Sequence, residues 1–197
     1  MVTPQAPAEE PSSEQSAVAR PPLSALLPTD ALRVLAVAAG LGVFAASFAE
    51  FRLGTAAFIG AVLCPALVLL AAIDARHSLL PNSIVLTTTV AVAVILAVGN
   101  PPFGSFPKHL LAAAALGGFF FAFAALFPGS MGFGDAKLGF LLGLALGNHT
   151  FAAAIYAIAG LLVAAIYILA TRGSSARKDV IPFGPFLAVG GILAFFL

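Results

Sequence analysis

Two aspartates in apolar surroundings are the residues of this sequence best suited to chemistry. Asp74 directly follows the apolar run 69–73, and Asp135 precedes a helix-like apolar run that begins at Leu138. An ionised side chain inside a lipid bilayer costs several kcal/mol unless it faces protein or water. Each aspartate also has a simple structural explanation. Asp74 would be a charge at the membrane boundary that pairs with Arg76, and Asp135 would interact favourably with a helix dipole.

The glycines around Asp135 favour a functional site over a simple boundary charge. Gly132 and Gly134 precede the carboxylate and allow backbone conformations and close approaches that a side chain would prevent. Gly139 and Gly143 follow Asp135 at four-residue intervals, which places a groove of small residues on about the same helix face. Either a neighbouring helix or a substrate helix can pack into such a groove.

Two carboxyl groups at one membrane face can act as an aspartyl protease dyad. At a separation of about 3 Å they cannot both ionise, so one keeps a proton while the other serves as base toward a shared water. The water attacks a peptide carbonyl, and a proton later passes to the leaving amine. Because such a pair titrates as a unit, neither aspartate has a fixed role. Ser130 has no base nearby in the sequence, and we expect no metal or other cofactor.

The composition predicts a membrane protein. Hydrophobic residues make up 61% and charged residues 9% of the 197 residues, and the mean hydropathy is +1.08. The net charge of +1 gives no basic excess for nucleic acid, so we expect lipid and not nucleic acid as a partner. The oligomeric state is left open. The single cysteine, Cys64, excludes an intrachain disulfide and a Cys-rich zinc site.

The hydropathy pattern predicts an all-α bundle of about seven transmembrane helices over residues 29–197. Residues 1–28, rich in Pro, Ser, Glu and Ala, are expected to form a disordered cytoplasmic tail. The fifth segment is short for a span of about 20 residues, so it must either be packed inside the bundle or extend through Asn148 into the next turn. The predicted segments are Ala31–Ala49, Thr55–Ile73, Ser83–Val98, His109–Phe127, Ala136–Gly147, Phe151–Ala170 and Val180–Leu197.

Lysines and arginines are distributed unequally between the two sides of these segments. Two of them, Arg52 and Lys108, fall on the side opposite the N-terminal tail. Seven fall on the side of the tail: Arg20, Arg33, Arg76, Lys137, Arg172, Arg177 and Lys178. Because cytoplasmic loops carry an excess of basic residues, we expect a cytoplasmic N-terminus in a multi-pass protein of the inner (cytoplasmic) membrane. Both aspartates then lie at the cytoplasmic face.

Three segments of the sequence resemble the type IV prepilin peptidases, which are membrane aspartyl proteases of the GxGD type, including the small forms associated with tight-adherence pili. The resemblance covers about Leu67 to the C-terminus. The segments are Asp74 with Leu80-Pro81-Asn82, Gly132-Phe133-Gly134-Asp135 with Ala136-Lys137-Leu138, and Ile181-Pro182-Phe183-Gly184-Pro185-Phe186. The resemblance implies that Asp74 and Asp135 are the catalytic pair of a hydrolase. It also implies prepilin-like substrates, whose short basic leader is cut off at the cytoplasmic face just before a hydrophobic helix.

Larger members of that family carry a cytoplasmic domain with paired Cys-x-x-Cys motifs, and many also N-methylate the new N-terminus. This sequence has one cysteine and a short connection between its first two segments. We therefore expect a peptidase without N-methyltransferase activity.

Several residues near the aspartates are candidates for substrate binding or structural support. Pro81 and Asn82 suit the start of a helix, with Asn82 or Ser83 as its cap. Lys137 could tune the dyad or anchor lipid headgroups. Two alternatives of other classes remain open, namely a proton- or ion-coupled transporter or channel and a non-catalytic assembly subunit. A transporter would be expected to contain a pair of broken helices, whereas only one glycine-broken helix is evident.

Overall fold

The structure is a computed structural model that describes residues 30–127, 132–172 and 182–197. All regular secondary structure in these ranges is helical, which confirms the predicted all-α class. The predicted tail 1–28 and most of the basic loop after the sixth helix lie outside the described residues. The α-helices are α1 (Asp30–Phe51), α2 (Thr55–His77), α3 (Asn82–Val98), α4 (Phe106–Leu126), α5 (Phe133–Leu146), α6 (Thr150–Arg172) and α7 (Gly184–Phe195).

Four described stretches are long and apolar enough to cross a membrane. They are Val34–Phe51, Thr55–His77, Phe106–Leu126 and the 39-residue stretch Phe133–Thr171, which contains α5, a short 3₁₀ turn and α6. Helices α3 and α7 are shorter apolar helices. Each of the seven predicted segments thus corresponds to one helix of the structure.

The short helix α5 lies inside the bundle, which is one of the two alternatives that its length left open. Its residues Ala136, Leu138, Gly139 and 141–146 are buried. It packs mainly against α4 and also contacts α3 and α7, while α2 packs against α1, α3 and α7. Leu67 of α2 and Leu142 of α5 belong to the shared core and are fully buried. Large apolar side chains such as Leu111 and Val163 remain exposed, as expected for helices that face lipid.

Polar contacts hold the C-terminal end of α5 in place. In a continued helix the Asn148 N–H would bond to the Leu144 carbonyl, but Asn148 N–H instead donates to the Phe103 carbonyl at 3.0 Å. The Leu144 carbonyl instead accepts a hydrogen bond of 2.7 Å from His109 Nδ1. The chain turns at Gly147, whose φ of +50° is a left-handed conformation that favours glycine. The far end of α5 is thereby tied to α4 and to the loop before it.

Candidate active site

Asp74 lies in the last turn of α2, where its side chain is only 5% exposed. Its carboxyl accepts a hydrogen bond from the backbone N–H of Gly184, the first residue of α7. The first N–H groups of a helix have no partner within the helix and carry partial positive charge, so a carboxylate suits this position. A Cβ at residue 184 would lie 2.5 Å from Asp74 Oδ2, so only glycine fits there without displacement of the carboxyl.

Asp135 is the third residue of α5 and is partly buried. Its carboxyl accepts a hydrogen bond from the backbone N–H of Gly132, the residue that precedes the helix. An acidic side chain in the third helical position commonly reaches back in this way, because it satisfies an unpaired N–H of the first turn. Asp135 therefore caps α5, and the cap fixes the position of its carboxyl.

The structure brings the two aspartates together at one end of the bundle. Asp74 comes from the end of α2 and Asp135 from the start of α5, and their carboxyl groups interact electrostatically. Each is held by a backbone N–H, from Gly184 and Gly132 respectively. Two acids that interact across separate helices at one end of the bundle are compatible with the predicted dyad.

The predicted supporting residues connect the start of α5 to the chain between α2 and α3. Lys137 Nζ donates a hydrogen bond of 2.8 Å to Asn82 Oδ1. A Cβ at Gly134 would lie 3.0 Å from the Cβ of Leu80, so the glycine allows this loop to approach. The prediction that Asn82 or Ser83 caps α3 is wrong. Pro81 takes the cap position and makes no side-chain cap bond, while the Asn82 oxygen accepts from Lys137 instead.

Gly139 and Gly143 lie in the contact between α5 and α4. A Cβ at Gly139 would come within 2.6 Å of the Phe120 ring, and one at Gly143 would collide with the backbone of Ala112. The sequence left open whether a neighbouring helix or a substrate helix packs into the small-residue groove, and in the structure the neighbouring helix α4 does. Because α4 fills it, these glycines support the fold and leave no room there for a substrate helix.

Gly184 is the functional candidate that the sequence alone did not reveal. The Gly184-Pro185 pair indicated the start of a helix, and nothing in that local pattern pointed to Asp74, 110 residues earlier. Phe183 lies against Phe120 of α4, with ring centroids 5.5 Å apart, and this contact helps to fix the start of α7. The described residues of all three segments of the GxGD-type pattern thus meet at one end of the bundle.

No cluster of three or more His, Cys, Asp or Glu side chains that could hold a metal ion occurs among the residues that the structure describes.

A comparison with protein families assigns this chain to a known family. The model of the type IV leader peptidase family matches residues 61–170, more than half of the sequence, including both aspartates and Lys137. The chain belongs to the type IV leader peptidase family. The family match ends before Gly184, so the backbone donor to Asp74 lies outside it.

Curated relatives carry the name prepilin leader peptidase/N-methyltransferase. One from Bacillus subtilis (strain 168) is 33% identical over 156 residues, which cover 77% of this chain and 60% of the relative. One from Burkholderia pseudomallei (strain 1026b) is 32% identical over 185 residues, which cover 90% of this chain and 56% of the relative. The chain thus spans just over half the length of these relatives. No solved structure matches it significantly.

Proposed function

We propose that this chain is an aspartyl endopeptidase that removes the short basic leader from prepilin-like proteins. The observation that carries the proposal is the meeting of Asp74 and Asp135, from separate helices, at one end of a membrane bundle. Membership of the type IV leader peptidase family and the names of the curated relatives support the substrate class.

In the proposed reaction the two carboxyl groups share one proton and activate one water. The ionised carboxyl removes a proton from the water while the water oxygen attacks the carbonyl carbon of the scissile peptide bond. The protonated carboxyl donates a hydrogen bond to the carbonyl oxygen. A proton then passes to the amide nitrogen, the C–N bond breaks, and the amine leaves. The N–H groups of Gly184 and Gly132 hold the carboxyls in place for these steps. Neither acid is assigned a single role, because the pair titrates together.

The proposal places this reaction at the cytoplasmic face of the inner membrane, with the N-terminus on that side. Arg76 and Lys137 lie at the end of the bundle that carries the aspartates, whereas Arg52, directly after α1, and Lys108, in the first turn of α4, lie at the opposite end. The distribution of basic residues supports this orientation. We predict leader cleavage without N-methylation, although the relatives' names include both activities.

The test is co-expression with a candidate prepilin in membranes, followed by mass spectrometry of the substrate's N-terminus. Asp74→Asn and Asp135→Asn preserve side-chain shape but remove the ionisable carboxyls, so each should abolish cleavage while the protein still inserts. Glu50→Gln makes the same chemical change at an exposed position in the last turn of α1, at the opposite end, and should cleave normally.

Two results would overturn the proposal, and a third would contradict one part of it. Wild-type cleavage by either Asn variant would exclude the dyad as the catalytic pair. Failure of the wild-type protein to cleave prepilin-like substrates would remove the peptidase function itself. Retained cleavage with a methylated new N-terminus would contradict only the prediction of a peptidase without methyltransferase activity.

A further inference from the structure

A groove runs along the outer surface of the contact between α4 and α5. Its volume is about 430 Å³, within the usual range for ligand sites. Its walls include Ala114, Gly118 and Phe121 of α4 and Phe133, Ala136 and Phe140 of α5. This outer groove is distinct from the inner contact at Gly139 and Gly143, which α4 fills.

We propose that the outer groove binds the apolar helix that follows the scissile bond of the substrate. The inference rests on the proposed peptidase function and adds a substrate-binding surface to it.

The shape of the groove suits a helix. Ala114 and Gly118 are four residues apart and lie on one face of α4, and small residues at this spacing allow two membrane helices to approach closely. A Cβ at Gly118 would meet no other atom within 4 Å, so this position is open. The Phe121 and Phe133 rings, 5.7 Å apart, stand beside it and are both more than half exposed. Lipid chains need no such small residues, and glycine weakens the helix that carries it.

The groove and the aspartates lie at the same end of the bundle but on different sides of α5. At 100° per residue, Phe133, Ala136 and Phe140 point away from the face that carries Asp135. A substrate chain would therefore leave the groove and cross the start of α5 to reach the dyad. A helix about 10 Å wide is crossed by about three extended residues.

The chemistry along this path matches the order of segments in the proposed substrate. The apolar helix faces an apolar groove, the scissile bond reaches the dyad, and the basic leader lies beside the two acids. Lys137 also lines the groove. Its Nζ donates a hydrogen bond of 2.8 Å to Asn82 Oδ1, so its charge lies against α3.

Filling the groove tests the inference. Gly118→Leu places a side chain in it, and Gly42→Leu is the matched control, since Gly42 of α1 is equally open and lies elsewhere. With the full-length substrate that the wild-type protein cleaves, Gly118→Leu should raise KM about tenfold, a typical loss for a blocked contact, with little change in kcat. A soluble peptide that contains the leader and scissile bond without the helix should be cleaved by both variants as by wild type. An unchanged KM for the full-length substrate would overturn the inference while the peptidase function stands.

Photo-cross-linking gives an answer that does not depend on the folding of the leucine variant. A benzoylphenylalanine at position 121, in the Asp74→Asn background, should form an adduct with the helix of the co-expressed substrate. Adducts with phospholipid alone, or none with the substrate, would assign the groove to lipid and overturn the inference. Absence of cleavage by the wild-type protein is a separate result, because it removes the peptidase function on which the inference depends.

Discussion

Replacement of Gly184 by alanine should lower the proposed peptidase activity about 100-fold without removal of either acid. The added methyl group would lie 2.5 Å from Asp74 Oδ2 and 2.9 Å from its Cγ, whereas ordinary contacts begin at 3.4 Å. The carboxyl must therefore move by about 1 Å, or α7 must shift. A displacement of this size at a reacting group costs about 100-fold in rate, equivalent to about 2.7 kcal/mol in the activation free energy. The N–H of residue 184 remains, so the variant tests position and not the loss of a donor.

The assay compares kcat and melting temperature of the purified proteins in detergent or vesicles. Gly190→Ala is the matched control in the same helix. Its methyl group would lie 2.5 Å from the Ala153 carbonyl oxygen of α6, so it should lower the melting temperature and leave kcat largely intact. Gly184→Ala should show the opposite pattern, in which kcat falls strongly and the melting temperature changes less.

A stability measurement isolates the steric conflict from catalysis. In an Asp74→Ala background the carboxyl that collides with residue 184 is absent. Alanine should then no longer destabilise α7, so Gly184→Ala should leave the melting temperature of the Asp74→Ala protein unchanged. Cleavage by Gly184→Ala within threefold of the wild-type rate, at an unchanged melting temperature, would refute the assignment of Gly184 as a positioning residue for Asp74.

Two further predictions follow from the same end of the bundle. Lys137→Met and Asn82→Ala each remove the exposed hydrogen bond between α5 and α3, and each should lower kcat/KM about 2- to 13-fold, since such a bond contributes about 0.5–1.5 kcal/mol. The double variant should lose no more than either single one, and additive losses would show that the two residues act independently. For the orientation, a cysteine at Ser174, in a Cys64→Ala background, should react only with reagents that enter the cytoplasm. Labelling of intact cells by an impermeant reagent would place the aspartates on the other face.

The sequence predicted the elements of this fold well because their signals are local. Apolar runs broken by short polar segments located the seven α-helices of the described residues, and burial in the bundle was one of the two alternatives that the shortness of the fifth segment left open. The cap of α3 was misassigned by one or two residues, because Asn82 has a competing partner in Lys137 that local capping preferences do not include.

The contacts between helices were not predictable in the same way. The helices of this chain are apolar on nearly every side, so periodicity does not distinguish a face that meets protein from one that meets lipid. The glycines at 139 and 143 were compatible with a substrate helix until α4 was found against them.

The sequence by itself determined that this is a helical membrane protein with two acids at segment ends, because hydropathy, charge and glycine spacing are properties of neighbouring residues. Only the tertiary structure decided that Gly184 donates to Asp74, that Lys137 bonds Asn82, and that an open groove lies on the outer side of α5. These contacts depend on how helices distant in sequence pack against each other. In a chain whose interior and lipid-facing surfaces are equally apolar, that packing is set by shape and not by the hydrophobic pattern.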